Sequence, residues 1–96
     1  MKEREYLLTL YEIYKNLLST KEKSYFEYYY FEDYSLQEIA DNFEVSRAYA
    51  SKLINGIEKK LMKYEEKLYI NEKNNKIRKI ISSLDKDTKD KIEELL

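Results

Sequence analysis

The chain of 96 residues contains no histidine, cysteine or proline and a single glycine, Gly56. It therefore lacks the commonest general base, the thiol nucleophile and the most frequent metal ligands, and this composition argues against an enzyme, a cofactor and a metal site. Its formal net charge of −1 argues against strong sequence-independent DNA binding, because phosphate neutralisation supplies most of that affinity.

Several features predict one soluble, all-α domain. Helix breakers are few, and no run alternates between apolar and polar residues as a half-buried strand would. No apolar stretch approaches the roughly 20 residues that a membrane-spanning helix requires. The N-terminal MKEREYLL also lacks the apolar core of a signal peptide. We therefore expect a cytoplasmic protein without a membrane span.

The first predicted element is an amphipathic helix from about Lys2 to Leu18. Its apolar residues recur at steps of three and four, which places them on one helical face: Leu7, Leu10, Tyr11, Tyr14, Leu17 and Leu18. Ser19 and Glu22 then match a capping box, which predicts a second helix from about Thr20 to Phe31.

The second predicted helix contains the aromatic run SYFEYYYF. Phe26, Tyr29 or Tyr30, and Phe31 can fill the space between the first helix and the elements that follow, with the other tyrosines partly exposed. Stacking of these tyrosines on nucleic-acid bases is the functional alternative. Aromatic packing alone accounts for the run without a ligand.

The stretch from Ser35 to Leu61, SLQEIADNFEVSRAYASKLINGIEKKL, has the pattern of a helix-turn-helix. Ser35 and Glu38 match a capping box at the start of a third helix. The turn follows at Asn42–Val45, and Ser46 is the N-cap candidate of the second motif helix.

The second motif helix is predicted to continue as a long fourth helix to about Glu72. Its apolar seam has heptad-like spacing: Ile54, Ile57, Leu61, Tyr64 and Leu68. This seam can pack on the first helix or meet a second subunit. We expect the part near Ile54 and Ile57 to pack within the chain, and the part near Tyr64 and Leu68 to be shared between subunits.

Short helices are predicted at the C-terminal end of the chain. The polar segment Asn71–Asn75 is expected to end the long helix, and Asp85 or Asp87 to cap a last helix. We divide the chain into a core domain, residues 1–72, and a C-terminal extension of the same domain, residues 73–96.

Surplus apolar surface beyond the motif predicts a homodimer, because a symmetric patch would bury side chains that water would otherwise contact. The alternative is that the C-terminal helices pack within the chain. The residues expected at the dimer interface are Tyr64, Leu68, Ile77, Ile80, Ile81 and Leu84.

Charge is distributed unevenly along the chain. Residues 1–45 carry five basic and ten acidic side chains, whereas residues 46–64 carry five basic residues against Glu58 alone. Residues 65–96 carry eight of each sign. The second motif helix therefore begins in the only electropositive segment, which is where a nucleic-acid-reading helix would need it.

At these residues the sequence resembles a known pattern. S-L-x-E-I-A followed by V-S-R resembles the helix-turn-helix of bacterial sigma factor region four, with an aromatic lead-in at Tyr30–Tyr34. Together with LYEIYKNLLSTKEKSYFEYYYFEDYS before the motif and EKKLMKYEEKL after it, roughly the first three quarters of the chain is similar to the YlxM family of small bacterial helix-turn-helix proteins. The resemblance implies an all-helical dimer with a regulatory role in the signal recognition particle pathway, since the family's genes are associated with those of the particle and its receptor.

The resemblance also implies a set of DNA contacts near the start of the second motif helix, which in this motif enters the major groove. Arg47 would reach phosphate or guanine, and Asn55 would pair with adenine. The full set of implied nucleic-acid contacts is Ser46, Arg47, Ala48, Tyr49, Ser51, Lys52, Asn55 and Lys59. Two residues depart from the pattern: Glu44 stands where sigma-like motifs often carry glycine, and Gly56 where a basic residue is common.

The sequence thus predicts a non-enzymatic, nucleic-acid-binding regulatory protein that is linked to the signal recognition particle pathway, with DNA as the expected target and RNA as a further candidate. The alternative is a protein- or RNA-binding accessory factor of the particle that does not bind DNA sequence-specifically. A fold alone does not decide between these functions.

Overall fold

The structure is a computed structural model that describes residues 3–96. These residues form six α-helices and no strand, which confirms the all-α prediction. The α-helices are α1 (Glu3–Tyr14), α2 (Thr20–Tyr30), α3 (Leu36–Phe43), α4 (Arg47–Leu68), α5 (Ile70–Ile81) and α6 (Lys86–Glu93). No helix within the described part of the chain is long and apolar enough to cross a membrane.

Local capping fixes where four of the helices begin. Ser19 and Ser35 each accept a hydrogen bond from the backbone N–H three residues later, at 3.1 and 3.0 Å, and both capping boxes are complete. Ser46 accepts from the N–H of Tyr49 at 3.0 Å, and Asp85 from the N–H of Thr88 at 3.0 Å. These starts confirm the predictions, since the side-chain oxygens satisfy N–H groups that a helix leaves free.

The core forms where α4 crosses the first three helices. Its buried residues come from all four helices and from the segment between α1 and α2: Leu7, Leu10, Tyr11, Tyr14, Leu18, Tyr25, Phe26, Tyr30, Ile39, Ala40, Ala50, Ile54, Ile57 and Leu61. Most of the aromatic run of α2 is structural, because Phe26 stacks on Tyr11 and Tyr30 at centroid distances of 4.2 and 4.4 Å. Phe31 remains 47% exposed.

Two predicted helix boundaries near the N-terminus were slightly wrong. α1 ends at Tyr14 and continues as a single 3-10 turn over Lys15–Leu17, because Leu18 is already extended and leads into the Ser19 cap. α2 ends at Tyr30, one residue before the predicted end. The predicted start of α1 at Lys2 lies outside the described residues.

The predicted end of the long helix was also wrong. α4 stops at Leu68, Tyr69 adopts the left-handed conformation with φ 55°, and α5 begins at Ile70. Asn71–Asn75 therefore lies inside α5 rather than ending α4, and the proposed domain division between residues 72 and 73 falls within that helix.

The side chain of Glu65 explains this early break. Its two carboxylate oxygens accept hydrogen bonds from the backbone N–H groups of Asn71 and Glu72, both at 3.0 Å, and Oε1 also accepts from the Tyr14 hydroxyl at 2.6 Å. The backbone N–H of Ile70 donates to the Tyr14 hydroxyl oxygen at 3.3 Å. Buried side chains from α1 and α4 thus satisfy the first N–H groups of α5, in place of a local cap.

The residues expected at a dimer interface divide into two groups. Tyr64 is half-buried beside Tyr14, Ile77 is half-buried, and Ile81 is 4% exposed, so these three already pack at least partly within the chain. Leu68, Ile80 and Leu84 remain exposed, at 52, 74 and 43%. Ile54 and Ile57 are buried in the chain's own core, as predicted.

Candidate nucleic-acid interface

The candidate interface is built on the helix-turn-helix formed by α3 and α4. Glu44 ends α3 in the left-handed conformation, with φ 56°, and the N–H of Val45 then donates to the carbonyl of Ala40 at 2.9 Å. Ala40 and Ala50 are buried, so small side chains lie where the two helices approach each other. This geometry holds the start of α4 at the surface beside the turn.

One face of α4 is solvent-exposed along its first four turns. At about 100° per residue, the residues of this face point within roughly 80° of one another. We call this set the exposed row, and it comprises Ala48, Lys52, Asn55, Lys59 and Lys63. Four of the predicted contacts belong to it. Lys63 also belongs and was not among the predicted contacts, although its spacing of four residues from Lys59 places it on the same face.

The other predicted contacts flank the exposed row. Arg47 and Ser51 lie to one side, with Arg47 exposed and Ser51 half-buried. The Ser46 hydroxyl already accepts the capping hydrogen bond from the N–H of Tyr49, so its capacity as an acceptor is partly used. Four of the eight predicted contacts therefore share the exposed row, and Arg47 places a further cation beside its first turn.

Two carboxylates of α4, Glu58 and Glu65, bond to tyrosines of the bundle. Glu58 accepts a hydrogen bond from the Tyr30 hydroxyl, and Glu65 accepts one from the Tyr14 hydroxyl at 2.6 Å. Within residues 47–63, Glu58 is the only acidic residue. Among the described residues, no ion pair at 4.0 Å or less involves Arg47, Lys52, Lys59 or Lys63. The exposed row is therefore cationic from Lys52 to Lys63, and the exposed Glu66 follows on the same face three residues later.

Tyr49 points away from the exposed row, toward α2. Its hydroxyl accepts a hydrogen bond from Lys21 Nζ at 2.6 Å, and that nitrogen lies 5.1 Å from the centroid of the Tyr49 ring. The same hydrogen bond raises the pKa of Lys21. Sequence reasoning missed this arrangement, because Lys21 lies 28 residues earlier in the chain and carries no local signal.

The first motif helix has the opposite charge. α3 contains no basic residue, and Glu38, Asp41 and the following Glu44 are all exposed. In DNA-bound helix-turn-helix proteins the first motif helix crosses the phosphate backbone. Carboxylates at that position would repel phosphate. The acidic α3 therefore disfavours a phosphate backbone, whereas the cationic face of α4 favours one.

Comparison with known proteins connects this geometry to a family. A family model described as "Putative helix-turn-helix protein, YlxM / p13 like" matches residues 1–96. A UPF0122 protein of Ureaplasma urealyticum serovar 10 is 47% identical over 74 residues, which cover 77% of this chain and 75% of the relative. A UPF0122 protein of Listeria welshimeri serovar 6b is 42% identical over 96 aligned residues, which cover 90% of this chain and 87% of the relative.

These matches support a general class of activity. The helix-turn-helix family and the all-α fold point to a regulatory or binding protein rather than an enzyme. A helix-turn-helix family also suggests nucleic acid as the ligand, which agrees with the cationic surface of α4.

Proposed function

Because the chain belongs to the YlxM/p13-like helix-turn-helix family, we propose that it is a non-enzymatic regulatory protein that binds nucleic acid through α4. The exposed row is the observation that carries this proposal. It places three lysines on one helical face, with Arg47 at the helix start, while Glu58 and Glu65 of α4 bond to tyrosines. Phosphate neutralisation by such cations is the main source of affinity for nucleic acid.

Duplex DNA is the target that the motif favours. In this mode the start of α4 enters the major groove, Arg47 and Lys52 bind phosphate, and Asn55 reads an adenine edge. Ala48 is small and would allow close approach to a thymine methyl group. Ser46, Tyr49, Ser51 and Lys59 complete the proposed set of contacts, and Lys63 extends it along the exposed row.

The resemblance to the YlxM family links the chain to the signal recognition particle pathway, where its role would be regulatory. RNA is then a further ligand, because the particle contains RNA and the same lysines would neutralise RNA phosphates. We include the particle's RNA in the proposed test for that reason.

A role directed at a protein partner is the second candidate function. The exposed carboxylates of α3, Glu38 and Asp41, support it, because they disfavour a phosphate backbone beside the motif. The partner would then be a protein component of the signal recognition particle.

We also propose a homodimer. Leu68, Ile80 and Leu84 expose apolar surface toward the C-terminal end of the chain, and Leu95, which follows α6, is 85% exposed. A two-fold interface would bury these side chains in one self-complementary patch and would present two copies of α4 to the ligand.

Binding assays at low salt separate the two candidate functions. The wild type and the double variant Arg47→Ala with Lys52→Ala would be tested against a duplex DNA pool, the particle's RNA and its protein subunit. We expect the wild type to bind nucleic acid and the double variant to bind it at least tenfold more weakly. A wild type that binds only the protein subunit would favour the second candidate, and a double variant with unchanged affinity for nucleic acid would exclude α4 as the surface.

A further inference from the structure

A notch between α2 and α4 lies beside the exposed row. It has a volume of about 360 Å³ and is lined by Glu22, Tyr49, Lys52, Leu53, Gly56 and Lys60. This volume lies within the range of roughly 300–1,000 Å³ that is typical of small-ligand sites. We call this feature the Gly56 notch.

Gly56 keeps the notch open, and neither backbone geometry nor packing requires a glycine there. The residue lies in the interior of α4, its φ is not positive, and a Cβ atom built on it meets no atom within 4 Å. Glycine weakens a helix interior, so a larger residue would favour α4. The missing side chain instead leaves open space between Tyr49, about two helical turns before Gly56, and Lys60, about one turn after it.

The walls of the notch are held in place by contacts between α2 and α4. Lys60 Nζ lies 2.5 Å from Glu22 Oε2, while Glu22 Oε1 accepts the N–H of Ser19 at 2.9 Å. Lys21 holds Tyr49 through its hydroxyl on the same side. Because Lys60 neutralises the one carboxylate in the lining, Lys52 is left to give the notch a net positive charge.

We propose that the Gly56 notch binds one unpaired nucleotide of a single-stranded nucleic acid. Tyr49 and Leu53 offer an aromatic and an apolar surface for a base, and Lys52 lies where it attracts an adjacent phosphate. A duplex cannot present a single base to so narrow a space, whereas a loop or a single strand can. This inference rests on the proposed function and adds a class of ligand to it.

Substitution of Gly56 tests the notch without disturbing the fold. Gly56→Leu would fill the notch. Gly56→Ala is the matched control, because it adds only one methyl group and raises the helix propensity by a similar amount. Both variants should retain or raise the melting temperature of the wild type, since the added Cβ has open space.

The measurement is fluorescence anisotropy with a labelled ten-nucleotide oligouridylate and a labelled duplex DNA pool. We expect Gly56→Leu to weaken oligouridylate binding about tenfold, within the range that the loss of one stacked base produces. The ratio of oligouridylate affinity to duplex affinity should fall at least fivefold, and Gly56→Ala should keep both affinities within twofold of the wild type.

Equal oligouridylate affinity for Gly56→Leu and Gly56→Ala would overturn the proposal. A wild type that binds duplex DNA through Arg47 and Lys52 but does not bind oligouridylate would overturn the notch and leave the proposed function standing. A wild type that binds neither probe would overturn both the notch and duplex binding by α4. The two failures are therefore distinguishable.

Discussion

Three buried tyrosines donate their hydroxyl hydrogens to carboxylates. Tyr11 bonds to Glu27 at 2.5 Å, Tyr14 bonds to Glu65 at 2.6 Å, and Tyr30 bonds to Glu58. These bonds satisfy the polar ends of large aromatic side chains, which would otherwise cost free energy when buried. They also turn Glu58 and Glu65 away from the exposed row, so the same contacts stabilise the core and shape the charge of the candidate interface.

The buried tyrosine hydroxyls are expected to make the folded state less stable at alkaline pH. Burial, followed by the hydrogen bond to Glu65, raises the pKa of Tyr14 to about 12, and burial likewise raises the pKa values of Tyr11 and Tyr30. A raised folded-state pKa adds stability that is complete below the unfolded value, near 10, and is lost as pH rises through the folded value.

We therefore predict that the free energy of unfolding is insensitive to tyrosine ionisation below about pH 9 and decreases between about pH 10 and 12. Urea denaturation at a series of pH values would measure this, and tyrosinate absorbance would follow ionisation in parallel. Tyr11, Tyr14 and Tyr30 should ionise only as the chain unfolds. Simultaneous ionisation of all 11 tyrosines near pH 10 in a folded chain would contradict the prediction.

The sequence predicted where the helices begin better than it predicted where they end. The caps at Ser19, Ser35 and Ser46 depend on residues three positions apart, so a local pattern reveals them. The end of α4 lacks such a signal, because Tyr69 takes the left-handed conformation that glycine usually adopts. The cap of α5 combines Glu65 with Tyr14 from a distant helix, which no local pattern encodes.

The candidate interface was predictable to a similar extent. The family resemblance supplied Ala48, Lys52, Asn55 and Lys59 as contacts, and these four lie on one exposed face of α4. The orientation of Tyr49 and the Gly56 notch depend on Lys21 and Glu22 of α2, so they required the tertiary structure. The same holds for Glu58 and Glu65, whose tyrosine partners lie far away in the chain.

The corner between α4 and α5 provides a test at this scale. Glu65→Ala would leave the Tyr14 hydroxyl and two backbone N–H groups without their acceptor, and we expect it to lower the free energy of unfolding by roughly 2–4 kcal/mol. The matched control is Glu66→Ala, an exposed neighbour whose removal should change stability by less than about 0.5 kcal/mol. Urea denaturation would measure both variants, and equal stabilities would show that Glu65 does not cap α5.

At the scale of the whole molecule, the chain is elongated, with principal extents of 52 × 25 × 25 Å. The four helices α1 to α4 share the main core, whereas α5 packs on α1 and α6 packs on α5. α6 has no buried residue of its own, and several large apolar side chains near it remain exposed. A second copy of the chain would cover this surface.

We predict a dimer at micromolar concentration that the double variant Ile80→Glu with Leu84→Glu dissociates, because charged side chains would be buried at the interface. Ile81 is unsuitable for this test, since it is buried within the chain and a charge there would disturb folding. Sedimentation velocity would measure the assembly, with circular dichroism as the control for folding. A wild type that stays monomeric at high concentration would contradict the dimer.

The net charge of the protein affects how strongly α4 could bind nucleic acid. A net charge of −1 provides little general attraction to nucleic acid, so binding has to come from the local cations of α4. Each cation that neutralises a phosphate adds about 0.9 to the slope of log K against log salt concentration on duplex DNA. The slope is therefore proportional to the number of phosphate contacts.

The most direct measurement is the salt dependence of DNA binding for three proteins: the wild type, Arg47→Ala with Lys52→Ala, and Lys73→Ala with Lys79→Ala as a control. The control removes two exposed cations from α5 and leaves α4 intact. We predict that the α4 double variant has a slope smaller than that of the wild type by about 2, with weaker binding across DNA sequences, while the control keeps the wild-type slope. Equal slopes for the wild type and the α4 double variant would contradict the claim that α4 binds nucleic acid.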